Sequence, residues 1–272
     1  RTRGRIEGGL NVKYGLSSNL TLDFTYNPDF SQIESDRPQI EINQRFPLFY
    51  SELRTFFLEG QESYQPTGGA VTFVHTRTII DPRYGAKLTG KVGRTTLALL
   101  LANDEAPGNV DDRADPAFGR SAQVMMGRVK YDVYRESYVG AIVTNRSFLD
   151  SRSRVGFLDG TFRFGRNHRA SFKTALSDHR DLSGVERTGF FLDAALVKED
   201  RNLRYVLARH LVEPSFWTDV GFVRRTDLKR TIGNISYKWW PERWVINWGP
   251  GFNFERVHDY NGVLQDVVRL VR

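Results

Sequence analysis

Apolar and polar residues alternate with a period of two along almost the whole of this chain, and that pattern constrains the fold more than any other feature. Leu10, Val12 and Tyr14 alternate with Asn11, Lys13 and Gly15; beyond Ser17-Ser18-Asn19, Leu20, Leu22, Phe24 and Tyr26 alternate with Thr21, Asp23, Thr25 and Asn27. A helix cannot gather either set on one face, whereas a strand places every second side chain on the same side. The pattern returns at Tyr84–Ala86–Leu88, Leu97–Leu99–Leu101, Val129–Tyr131–Val133, Tyr138–Gly140–Ile142–Thr144 and Leu158–Gly160–Phe162–Phe164. It continues through Ala170–Phe172–Thr174–Leu176, Phe190–Leu192–Ala194–Leu196, Leu203–Tyr205–Leu207, Ile235–Tyr237–Trp239 and Trp248–Phe252–Phe254. Segments 39–46 and 54–58 are weaker strand candidates.

The expected architecture is all-β, an antiparallel up-and-down transmembrane β-barrel of about 14–16 strands, over a single domain spanning 1–272. Two features favour a membrane barrel over a soluble sandwich. Many strands run to about ten residues, which at ~3.3 Å per residue and ~40° of tilt span roughly the 25 Å apolar band of an outer-membrane barrel. Short links also alternate with longer ones, such as 103–120 and 177–187. Aromatic residues (19 Phe, 11 Tyr, 5 Trp) fall mostly toward strand ends, where rings sit at headgroup level; Tyr14, Phe73, Tyr131, Tyr138, Phe164, Trp239 and Trp248 are examples. On the opposite strand faces lie Lys13, Asp23, Lys87, Arg128, Lys130, Asp132, Arg163, Lys173 and Arg204, expected to face a lumen. Seven of these nine are basic, so an open barrel is expected to prefer anionic solutes.

The rest of the composition mostly excludes. Mean hydropathy is −0.45, and no window approaches the ~20 apolar residues of a spanning helix. The net charge of +7 is scattered singly, without a phosphate-binding loop, zinc-finger spacing or basic helix, so nucleic acid is not an expected partner. There is no cysteine, hence no disulfide or thiol nucleophile. The five histidines lack zincin spacing, and there is no Gly-x-Ser-x-Gly elbow. Asp104, Glu105, Asp111, Asp112 and Asp115 do not follow the order of a helix–loop–helix calcium site and read as a solvated loop. No catalytic residue, metal site or cofactor is expected. The start, Arg1-Thr2-Arg3-Gly4-Arg5, is not a signal peptide, so either the protein stays inside the cell or this is a piece of a longer one.

Two runs are more specific: Asn27-Pro28-Asp29-Phe30-Ser31-Gln32-Ile33-Glu34, and Arg54-Thr55-Phe56-Phe57-Leu58-Glu59-Gly60. With Tyr84–Lys91, Gly140–Arg146 and Val220–Asp227, they resemble the bacterial barrel domain of unknown function that follows a family 9 carbohydrate-binding-like domain in large envelope proteins. The resemblance implies an outer-membrane location in Gram-negative bacteria, outer-membrane lipid as surroundings, and a carbohydrate-binding-like domain upstream of Arg1. It supplies Asn27, Pro28, Asp29, Phe30, Arg54, Phe56, Phe57, Leu58 and Glu59 as motif residues and no catalytic ones. Thr55 stands where the family usually has Pro, and the last residues, Val268-Arg269-Leu270-Val271-Arg272, lack a terminal aromatic, as a truncated barrel would. The function expected is solute uptake, of a glycan or other small anionic solute, or anchoring of a glycan-binding module. The alternative is a soluble β-rich carbohydrate-active enzyme or lectin, using Trp217, Trp239, Trp240, Trp244 and Trp248 to stack on sugars.

Overall fold

The computed structural model describes residues 8–28, 47–66 and 71–271. The chain is all-β with a few short helical turns. Its strands are β1 (Leu10–Ser17), β2 (Leu20–Tyr26), β3 (Val71–Thr72), β4 (Pro82–Val92), β5 (Thr95–Asp104), β6 (Ala122–Tyr134), β7 (Ser137–Phe148) and β8 (Ser151–Phe164). They continue with β9 (His168–Arg180), β10 (Glu186–Glu199), β11 (Leu203–Val212), β12 (Phe222–Val223), β13 (Leu228–Tyr237), β14 (Gly251–His258) and β15 (Leu264–Val271). Two single-turn helices, α1 (Thr55–Leu58) and α2 (Gln61–Tyr64), lie between β2 and β3.

Thirteen strands form one antiparallel sheet in the order β1-β2-β4-β5-β6-β7-β8-β9-β10-β11-β13-β14-β15, while β3 and β12 pair separately. Sheet order follows chain order apart from β3 and β12, and tight turns make several of the links: Gly93, between β4 and β5, and Gly165, between β8 and β9, supply the positive φ (58° and 59°) that such turns demand. β1 and β15 end the sheet, and among the described residues they do not pair with each other. No described helix is long and apolar enough to cross a membrane.

Several expectations need correction. Segment 54–58 holds helix α1, not a strand; Arg54 and Phe57 are buried, while Thr55 and Leu58 are exposed. The link expected over 177–187 is mostly strand, with only residues 181–185 between β9 and β10. On β7 the exposed apolar set is Val139 and Val143, while Ile142 and Thr144 are buried, so the phase assigned to Tyr138–Gly140–Ile142–Thr144 is inverted. Phe73 lies in the interior rather than at an exposed strand end. Segment 39–46 falls outside the described residues.

The core sits on one face of the sheet, called inner here. A single hydrophobic cluster joins Phe57, Tyr64 and Phe73 of the β2–β4 connection to inner-face side chains from Leu100 on β5 to Val257 on β14. This insert itself reaches Lys13 on β1, Lys87 on β4, Phe157 on β8 and Phe191 on β10. In a flat sheet of strands ~4.8 Å apart these would be spread over about 40 Å, so the sheet curls toward it.

Candidate functional site

The candidate site is the inner face of the sheet, and two segments pack against it. The first, residues 47–66 and 71–79, is organised by a buried ion pair two residues apart. Arg54 donates from Nε to Glu52 Oε1 (2.8 Å) and from Nη2 to Glu52 Oε2 (2.7 Å), and its remaining N–H groups reach the carbonyls of Ile79 (2.5 Å) and Thr76 (2.7 Å). The Thr76 hydroxyl and the backbone N–H of Arg54 also donate to Glu52. Burial pushes the Glu52 carboxyl up, but these hydrogen bonds outweigh it and hold the group below the usual glutamate value. The clamp closes a loop from residue 52 to residue 79, and Phe57 packs beneath the Arg54 guanidinium at 4.3 Å.

Lys87, on the inner face of β4, ties this insert to the sheet. Its ammonium donates to the carbonyls of Phe56 (2.6 Å) and Glu59 (2.7 Å), the last turn of α1. Glu59 also takes a hydrogen bond of 2.5 Å from Lys13 on β1, and that ion pair lowers the Glu59 carboxyl. Gly85 leaves room for the Phe56 ring, since a Cβ there would stand 2.9 Å from it. The motif around Arg54-Thr55-Phe56-Phe57-Leu58-Glu59 therefore works as a docking element: Arg54 and Phe57 build the insert, Phe56 and Glu59 fasten it, and Leu58 stays exposed. In the other motif, Asn27 donates from its backbone N–H to Arg83 O (2.7 Å) at the end of β2, and Pro28 follows it. Asp29 and Phe30 lie outside the described residues.

The second segment, 213–225, folds back from the β11–β13 connection. β12 pairs with β3, and the His75 N–H reaches Val220 O at 2.7 Å. Backbone N–H groups of Trp217 and Asp219 donate to the inner-face hydroxyls of Ser177 (3.2 Å) and Ser153 (3.0 Å). Phe73 packs tilted against Phe157 (3.9 Å) and edge-on to Phe191 (5.3 Å), and Phe216 packs tilted against Phe191 (5.9 Å). Alternation could not reveal these contacts, because neither segment is a strand of the large sheet.

The nine charged residues lie on the inner face of the sheet, where acids match the bases. Lys13 and Lys87 flank Asp23 at 3.9 and 3.5 Å. Lys130 and Lys91 both approach Asp132. Arg163 meets Glu136 (2.7 Å) and Arg204 meets Glu199 (3.0 Å). Lys173 lies in register between Asp159 and Asp193. Arg128 reaches Asp159 at 3.0 Å with both side chains almost fully buried, across the position of Gly140, where a Cβ would stand 2.5 Å from the Asp159 carboxylate. One register row crosses the sheet through Lys130, Gly140, Asp159, Lys173, Asp193, His210 and Arg230, so its charges largely alternate in sign. Glu59, Glu136, Glu199, Asp159 and Asp193 are the partners that counting the nine predicted charges missed. Three of them sit in turns or at strand ends, where alternation assigns no face.

The acids of the 103–120 link serve local structure. Asp104 accepts from the N–H of Asp81 (2.8 Å), and Asp112 and Asp115 accept from the N–H groups of Ala114 and Ala117. Five members of the tryptophan set also have positions: Trp239 and Trp248 pair across the β13–β14 connection with rings 4.7 Å apart, Trp240 donates to Arg201 O, Trp244 is exposed, and Trp217 donates to Asp219.

The outer face reverses the usual arrangement. Leu176 is 67% exposed and Leu158 54%, while Lys87 and Asp159 on the inner face are each 1% exposed. The edge of this apolar surface also climbs across the sheet. On β5 it falls between Leu101 and Asn103; on β11 and β13 it falls at Arg209 and Thr231. The register row containing Arg209 and Thr231 passes through Ala194, Phe172, Gly160, Val139 and Tyr131 to reach β5 at Thr95, well short of Asn103. That offset is about 26 Å along the strands over about 34 Å of sheet width, a slope of roughly 40°.

Residues 1–69 match a family model described as Domain of unknown function (DUF5916). No curated protein and no solved structure matches the chain.

Proposed function

We propose that this chain forms the wall of a bacterial outer-membrane β-barrel whose interior is filled by residues 47–66, 71–79 and 213–225, and that it anchors a glycan-binding module in the envelope. The observation that carries this reading is the inversion of the sheet: large aliphatic side chains stand on the uncovered face, and charges are buried on the other. In water an uncovered apolar face of this extent is a liability, whereas in a bilayer it is the expected surface. The slope of the apolar edge supports the same reading. A band level with the membrane requires strands tilted by its slope, and roughly 40° lies within the 35–45° of membrane barrels. Tyr237, Trp239 and Trp248 then sit beyond one edge of the band, at headgroup level.

Anchoring is favoured over a permanently open pore because the inserts are bonded to strands around the sheet, from Lys13 on β1 to Phe191 on β10. The resemblance of the motif runs, together with the family match over residues 1–69, supports the bacterial envelope as the setting. Extraction from membranes and mobility on gels before and after boiling test the proposal. The chain is expected to require detergent and to shift on heating; full solubility without detergent overturns it.

A further inference from the structure

We propose that the outer face of β10–β14 binds an anionic acylated lipid, with its phosphate on Arg209 and Arg256 and an acyl chain in the groove over Gly233. This rests on the membrane-barrel reading above and adds a specific site to it. Two confluent depressions, of about 380 and 580 Å³, share Leu196, Leu207, Gly233 and Phe254. Gly233 forms the floor because it has no side chain between Leu207 and Phe254, its register partners on β11 and β14. One end of the groove runs toward Tyr205, Ile235 and Phe252; the other ends at Arg209 and Thr231.

The charge at that end is the second observation. Arg209, Thr231 and Arg256 are consecutive in one register row, and Arg209 donates to the Thr231 hydroxyl. Both guanidiniums are exposed, and Arg269, beside Phe254 on β15, adds a third on the same face. Among the described residues no carboxylate pairs with any of the three, although the inner-face cations have acidic neighbours. Uncompensated arginines at the border of an apolar face match a phosphate held at headgroup level. The adjoining groove matches the chain attached to that phosphate. A soluble anion would use the arginines and leave the groove empty, and a neutral lipid would do the reverse.

Native mass spectrometry of the chain in a non-ionic detergent tests the site, with dimyristoyl phosphatidic acid, dimyristoyl phosphatidylcholine or inorganic phosphate added. Phosphatidic acid is expected to be retained above phosphatidylcholine, and inorganic phosphate not retained. The Arg209→Ala, Arg256→Ala double variant is expected to lower that retention roughly tenfold or more. Gly233→Leu is expected to lower it as well; its Cβ would make an ordinary 3.8 Å contact with Leu207, so the groove fills without backbone strain. Equal retention of both lipids, retention of phosphate alone, or variants that bind as the parent does would overturn the proposal. Protease protection in phosphatidylcholine vesicles reads membrane insertion separately. Insertion without headgroup discrimination overturns the lipid site alone, and failure to insert overturns the barrel reading with it.

Discussion

Gly140 shows how a single side chain's absence determines a buried contact. Arg128 and Asp159 lie on β6 and β8, two strands apart, and can meet only because the intervening β7 position carries no Cβ. Gly140→Ala is expected to force the carboxylate aside and destabilise the fold by about 1–3 kcal/mol, the range for overpacking a tight site. Gly156→Ala is the control, because nothing stands within 4 Å of the Cβ it would add. Urea midpoints of the two variants in the same detergent make the comparison, and equal midpoints would contradict the account. At this scale the sequence was legible in part. The charged positions of β2, β4, β6, β8 and β9 could be read from alternation, because a strand fixes the direction of every second residue. Some of their partners could not, since Glu59 and Glu136 lie outside strands. On β7, Tyr138, Gly140, Ile142 and Thr144 compete with Val139, Ala141 and Val143 as an apolar set, and nothing within the strand decides the phase.

Among the elements, the insert of residues 47–66 and 71–79 is one whose presence alternation could not announce. Its shape depends on the Glu52–Arg54 clamp, and its position on Lys87 and on Phe73. Because the Glu52 carboxyl is held below its ordinary value of 4.5 in the folded chain, its contribution is complete above that value. It is lost as pH falls from there through the lower folded value, where protonation removes the charge that Arg54 faces. Limited proteolysis of 47–79 is therefore expected to accelerate at acid pH below the normal glutamate range, and Glu52→Gln is expected to flatten that dependence. Unchanged protection of the parent chain through this range would contradict the clamp's role. The Arg54-Thr55-Phe56-Phe57-Leu58-Glu59 run was visible as a motif, but its role was not, because a four-residue helix has too little periodicity to distinguish it from a strand.

For the whole molecule, strand length and alternation were enough to indicate an antiparallel all-β sheet, and the structure adds the register that gives the apolar edge its slope. It also changes the expectation for conduction. The seven bases counted toward an anion-selective ring face acids on the same surface, so fixed charge nearly cancels along the row from Lys130 to Arg230. Planar-bilayer recordings under a salt gradient are expected to show little conductance while the inserts are in place, and no marked anion preference in any open state. Strong anion selectivity would restore the simpler count. The central claim, that the uncovered apolar face meets lipid, has a direct test because the chain contains no cysteine. Single substitutions Leu158→Cys and Leu176→Cys on the outer face, and Ser153→Cys and Ser177→Cys on the inner face, can each carry a fluorescent label in vesicles containing nitroxide-labelled lipid. Strong quenching at 158 and 176 with little at 153 and 177 is the predicted result; equal quenching at all four, or none at 158 and 176, would contradict it.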